Sequence, residues 1–163
     1  MRKITAAILV FLVMSVMAGC SSIDCSLNSL VMANYAFRTA YNTPDTLHDT
    51  LTVTAHTVNG DTILLNRAVG ISEFSLPVSY TLDSDTLDFH FTRKDGARAD
   101  DRLIMKKTNM SHFESVDCPP TFFHEIENIE LRGKRIDSLR VNDKLIDNGT
   151  EKKNILIYLK SAL

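Results

Sequence analysis

The stretch Leu87-Asp88-Phe89-His90-Phe91-Thr92 alternates apolar and polar side chains without a fault. Successive Cβ atoms of a strand point to opposite faces, so Leu87, Phe89 and Phe91 share a dry face while Asp88, His90 and Thr92 share a wet one. Upstream, Phe74, Leu76, Val78, Tyr80 and Leu82 alternate with Ser75, Pro77, Ser79 and Thr81, and Leu51, Val53 and Ala55 alternate with Thr52, Thr54 and His56. Leu139 with Val141, then Ile155, Ile157 and Leu159, repeat the habit near the C-terminus. From Asn28 onward no stretch sustains the three-to-four spacing of an amphipathic helix. One-sided burial implies antiparallel sheets packed on each other, so the expected fold is all-β, an antiparallel β-sandwich of immunoglobulin-like or similar kind, with a small β-barrel as the alternative.

Turn signals separate these runs: Asn59-Gly60-Asp61, Asp83-Ser84-Asp85, Lys94-Asp95-Gly96, Arg132-Gly133-Lys134 and Asp147-Asn148-Gly149. Their spacing predicts short hairpins. Pro77 cannot donate to a central ladder and marks an edge strand or a bulge. Pro119-Pro120 must break strand pairing before Phe122 and Phe123, which in an extended segment cannot both point inward. Arg93 to Asp101 reads as an exposed polar connection. An Asp-Thr-aliphatic triplet recurs at Asp45, Asp49, Asp61 and Asp85; it reads as strand-start punctuation, because aspartate closes turns and threonine opens strands. Calcium binding would need more oxygen ligands in one tight loop.

Ahead of the β pattern lies a different kind of segment. Arg2 and Lys3 precede an uncharged run from Ile4 to Val16, followed by Met17-Ala18-Gly19-Cys20. The run is too short for a stable membrane span, and the layout is that of a secretory signal. A cysteine directly after Ala18-Gly19 resembles the lipobox, whose thiol carries diacylglycerol. The expectation is a cleaved signal peptide over 1–19, a lipidated tether over 20–27 starting at Cys20, and a single β domain over 28–163. Several buried acyl chains, at about 0.8 kcal/mol per methylene, make such an anchor effectively permanent. Ser21 and Ser22, rather than an aspartate, follow the cysteine and resemble the pattern of outer-membrane lipoproteins; with no acidic run to signal surface export, the periplasmic face is the expectation.

A mature chain of about 140 residues suits one domain with one core. The net charge is −2, with acids and bases interspersed, which gives no footprint for nucleic acid. The pairs Lys106-Lys107 and Lys152-Lys153 read as solvated strand ends. Two cysteines remain after Cys20. In an oxidising compartment a Cys25–Cys118 disulfide is the expectation, closing a loop of roughly 90 residues for about 4.5 kcal/mol in the chain-entropy account; two buried thiols or a metal pair are the alternatives.

Chemistry is thin. His48, His56, His90, His112 and His124 are isolated, without metal-ligand spacing, and His90 beside Asp88 on the wet face is the one pair that invites inspection. His112-Phe113-Glu114-Ser115-Val116-Asp117-Cys118 holds a base, two acids, a hydroxyl and a thiol, but in an extended chain Ser115 and Asp117 face away from His112, so no triad forms locally. Asp100-Asp101 and Asp83 with Asp85 read as solvated turn carboxylates. No phosphate-binding glycine loop, dinucleotide fingerprint or nucleophile elbow is present. The expectation is no enzyme, no metal and no cofactor.

Ser22-Ile23-Asp24-Cys25, Asp61-Thr62-Ile63-Leu64-Leu65-Asn66-Arg67, Phe74-Ser75-Leu76-Pro77 with Tyr80, and His112 to Pro119 together resemble a family of uncharacterised lipoproteins from Bacteroides-type Gram-negative bacteria. The resemblance covers most of the mature chain and implies an extracytoplasmic β domain without assigned catalytic residues. The expected function is a non-catalytic binding or structural module of the cell envelope, held to the membrane through its lipid and meeting an envelope protein or a small ligand. The alternative is a small barrel carrying an apolar ligand or lipid, although the chain has no tryptophan and so lacks the motif that resembles lipocalins. A sugar-binding accessory role would want exposed stacked aromatics, for which four tyrosines and no tryptophan are a poor endowment.

Overall fold

Ten strands follow one another without a helix among the described residues: β1 (Met32–Arg38), β2 (Thr50–Thr57), β3 (Gly60–Ala68), β4 (Glu73–Pro77), β5 (Ser84–Thr92), β6 (Arg98–His112), β7 (Thr121–Arg132), β8 (Ile136–Val141), β9 (Leu145–Ile146) and β10 (Ile155–Leu159). This computed structural model describes residues 30–113, 115–149 and 151–160. The expected signal peptide and tether, with Cys20 and Cys25, lie outside the described residues, as does Glu114.

The strands form two sheets, β4-β1-β10-β8 and β3-β2-β5-β6-β7-β9, which do not close into a barrel. The β-sandwich expectation therefore holds and the barrel alternative does not. One pair departs from the antiparallel expectation: β1 runs parallel to β10, with Tyr35 opposite Ile155. Parallel neighbours need a long connection, and here it is the whole intervening chain.

The period-two pattern builds the core as read. Leu87, Phe89 and Phe91 of β5 are buried beside Leu51 and Val53 of β2, and they face Tyr35, Phe37 and Ile157 of the smaller sheet. An aromatic cluster joins the two layers: Tyr35, stacked on Phe74 of its own sheet at 5.0 Å, meets Phe89 of the other sheet edge-on at 6.4 Å. Rings at these separations add attraction beyond their buried area.

Several boundaries differ from the sequence expectation. The strand read over Phe74 to Leu82 ends at Pro77, on an edge as the proline requires, and residues 78–83 cross to the other sheet. Of the five expected hairpin turns, Asn59-Gly60-Asp61 joins β2 to β3 and Lys94-Asp95-Gly96 joins β5 to β6; the other three carry the chain between sheets. The exposed connection expected over Arg93 to Asp101 is only the turn before Arg98, because β6 has already begun. Phe122 and Phe123 are both half-buried, the first stacked on Tyr80 at 5.2 Å and the second on His112 at 4.6 Å.

The topology gives the sandwich two distinct ends. At one gather the entry at Leu30, the β2–β3 turn, the 78–83 crossover and the 113–120 loop; at the other lie residues 39–49, 69–72, 93–97 and 133–135. The first is called the entry end below.

Candidate functional site

An apolar groove opens at the entry end, with a cavity volume of about 210 Å³. Its walls are Leu30, Ala55, Val58 and Leu64 on one side and Pro77, Val78, Tyr80 and Leu82 of the crossover on the other. The groove exists because Pro77 ends β4 and the departing chain leaves the inner faces of β2 and β5 uncovered there. Thr57, Ser79, Thr81 and Asp85, with His56 and Thr86, complete its lining.

Beneath the crossover lies a buried polar cluster. Lys107 is 1% exposed. Its ammonium donates to the carbonyls of Ser79, at 2.6 Å, and Leu82, and to Asn109 Oδ1 at 3.0 Å, with Asp85 at 3.8 Å. Burial lowers the Lys107 pKa and the nearby Asp85 and Asp83 charges oppose that. Burial likewise raises Asp85, against the pull of Lys107 and of the Ser79 N–H at 3.2 Å. His124 is 1% exposed and its Nδ1 meets Asn109 Oδ1 at 2.8 Å. Burial, with the Lys107 charge as a second cause, holds this imidazole down to about 4, so it is neutral at pH 7. The cluster satisfies the carbonyls of an irregular crossover that would otherwise be buried without partners.

These positions correct the solvated readings of Lys107, Asp85 and Asp101. A β-bulge in the β6–β7 pairing falls between Lys106 and Lys107, yet along β6 the inward parity runs through Asp101, Leu103, Met105 and Lys107. Continuing the alternation of Leu103 and Met105 in both directions is the sequence signal that places Asp101 and Lys107 inside. Asp101 closes the far end: its carboxylate accepts from the backbone N–H groups of Lys134 at 2.7 Å, Arg135 at 3.0 Å and Ile136 at 2.5 Å.

On the outer face of the large sheet a charged row crosses four strands. Asp61 of β3 meets His56 Nδ1 at 2.7 Å, His56 Nε2 meets Asp88 of β5 at 2.7 Å, and Asp88 accepts two hydrogen bonds from Arg102 of β6 at 2.7 and 2.8 Å. The hydrogen bond to Asp88 is the largest cause of a raised His56 pKa, and Arg102 draws Asp88 down to about 2. Both ring nitrogens of His56 are thus engaged by carboxylates, which leaves neither available as a general base without breaking a contact. The His90–Asp88 pair singled out in the sequence does not form; His90 Nδ1 meets Asp100, at 2.7 Å.

The remaining residues singled out in the sequence stay apart. His48 and His112 are exposed, the latter against Phe123. Residues 115–118 are not extended, since Cys118 N–H donates to the Ser115 carbonyl at 3.2 Å in a turn. Cys118 is buried at the entry end. Among the described residues no group of three or more histidine, cysteine or acidic side chains is placed to hold a metal. The groove and its buried ammonium were not anticipated, because both depend on where the 78–83 segment leaves its sheet.

Residues 50–159 match a family model described as "Family of unknown function (DUF6452)". The chain belongs to that family. No curated protein and no solved structure matches it. The DUF6452 match spans β2 to β10, and so contains both the row on the outer face and the cluster under the groove. Leu30 and β1, which complete the groove and the small sheet, lie upstream of it.

Proposed function

We propose that this DUF6452 chain is a lipid-anchored extracytoplasmic module that binds a partner in the cell envelope and performs no catalysis. The observation that carries this reading is the apolar groove placed at the entry end, where the chain arrives from Cys20. Binding is favoured over turnover because the charged groups nearest the groove are spent on structure: Lys107 on crossover carbonyls, His56 on two carboxylates. Signal cleavage before Cys20, its diacylation, residence at the outer membrane facing the periplasm, and a disulfide from Cys25 to the buried Cys118 belong to the same reading.

The alternative, a carrier of an apolar ligand or lipid, has the groove in its favour. At about 210 Å³, however, the cavity falls below the roughly 300–1,000 Å³ that encloses a small molecule, and it is open at the side. The test is crosslinking of the envelope-resident protein followed by mass spectrometry of co-purified proteins and lipids. A reproducible protein partner, lost on Val58→Asp at the exposed groove wall, supports the binding module. Stoichiometric lipid without a partner replaces it with the carrier, and turnover in a glycan or peptide panel removes both.

A further inference from the structure

We propose that the entry end is a membrane-seating surface, with Phe113 and Val116 of the 113–120 loop entering the interfacial layer of the bilayer that holds the anchor and the groove left free beside them. This rests on the lipoprotein reading and extends it from a tether to a defined orientation. Of the nine large apolar side chains left exposed among the described residues, five (Leu30, Val58, Tyr80, Phe113 and Val116) gather at the entry end and two, Tyr41 and Val69, lie at the far end. Val116, at the tip of the 113–120 loop, is 98% exposed. Such a concentration at one end of a sandwich marks an interaction surface rather than scatter.

The length of chain outside the structure selects the bilayer as the occupant. From Cys20 to Leu30 an extended backbone spans at most about 36 Å. With Cys25 bonded to Cys118, only five residues, or about 18 Å, separate the lipid from a cysteine two positions beyond Val116. With that disulfide in place, the anchor holds this end nearer the headgroups than the far end, which lies about one strand length away. Lys106 and Lys152 are engaged by Glu127 at 3.1 Å and Asp143 at 3.5 Å, which leaves Lys144 as an exposed cation near this end.

The chain contains no tryptophan, which makes a single introduced indole an unambiguous depth reporter. The experiment places Val116→Trp or Tyr41→Trp in the full lipidated protein, in phosphatidylcholine vesicles with brominated acyl chains. Val116→Trp is expected to be quenched at least twofold and blue-shifted, and Tyr41→Trp to be unaffected. Mass spectrometry of Cys20 is read on the same sample. A lipidated Cys20 with an unquenched Val116→Trp overturns the seat alone and makes this end a protein-facing surface. An unmodified Cys20 overturns the lipoprotein reading; the seat is then judged on the free chain, where quenching by excess vesicles upholds it and its absence overturns it.

Discussion

The carboxylate of Asp101 occupies the space that a β-carbon on Gly133 would require. The corner between β7 and β8 wraps so closely around this side chain that three successive backbone N–H groups reach it. Gly133→Ala is therefore expected to destabilise the fold by about 2–4 kcal/mol through forced displacement of a buried, hydrogen-bonded group. Asp101→Ala, which strands the same donors, should cost about as much. Urea unfolding followed by circular dichroism measures both, and a loss under 1 kcal/mol for either would show that the corner does not depend on the clasp.

Lys107 holds the crossover that forms one wall of the groove. Lys107→Met removes the buried charge but leaves Asp85 and two carbonyls without it, and a loss of about 3–5 kcal/mol is expected. Hydrogen exchange should accelerate in residues 78–83 before it does in β5. Adding Asp85→Leu is expected to recover part of the stability, since the second unpaired group goes too.

His124 gives the fold an acid limit. The unfolded chain takes up this proton near pH 6.5, the folded chain only near 4. Stability from the neutral ring is whole above pH 6.5 and falls by on the order of 3 kcal/mol as the pH drops toward 4. His124→Asn should flatten that part of a stability profile recorded from pH 4 to 7, and an unchanged slope would assign the acid sensitivity to another group.

The row on the outer face works in the opposite sense at its histidine. His56 is raised, so its contribution is full below the ordinary value of 6.5 and is lost as the pH rises through the higher folded value. Asp88, held at about 2, contributes above 3.8 and loses that contribution as the pH falls toward 2. NMR titration of the imidazole should give His56 a higher pKa than the isolated residue, and Asp88→Asn should bring it down.

What the sequence made legible was whatever repeats. The faultless alternation of Leu87 to Thr92 fixed one strand, its faces and, with its neighbours, the two-layer architecture. Asp101 and Lys107 were missed for a physical reason: polarity usually marks the wet face, and these two keep the dry parity of Leu103 and Met105 while being polar. Nor does the sequence distinguish a turn that reverses a strand from one that changes sheet, because Asp83-Ser84-Asp85 and Lys94-Asp95-Gly96 satisfy the same local chemistry. Sheet membership is decided by long-range pairing, such as Met32 with Pro77 and Tyr35 with Ile155. The groove follows from that pairing and from no motif.

The parallel pairing of β1 with β10 sets an order of assembly. The Asn34 backbone N–H donates to the Asn154 side chain across 120 residues of sequence, and Asn154 N–H returns a bond to the Asn34 carbonyl. The β5–β6–β7 meander and the β2–β3 hairpin can zip as soon as they are synthesised, but β1 waits for the tail before it gains its second neighbour. A chain whose last strand has not yet been made therefore cannot finish its small sheet. A product cut short before Asn154 leaves both Asn34 and the inner edge of β1 open, so incompleteness is displayed on the strand that was made first.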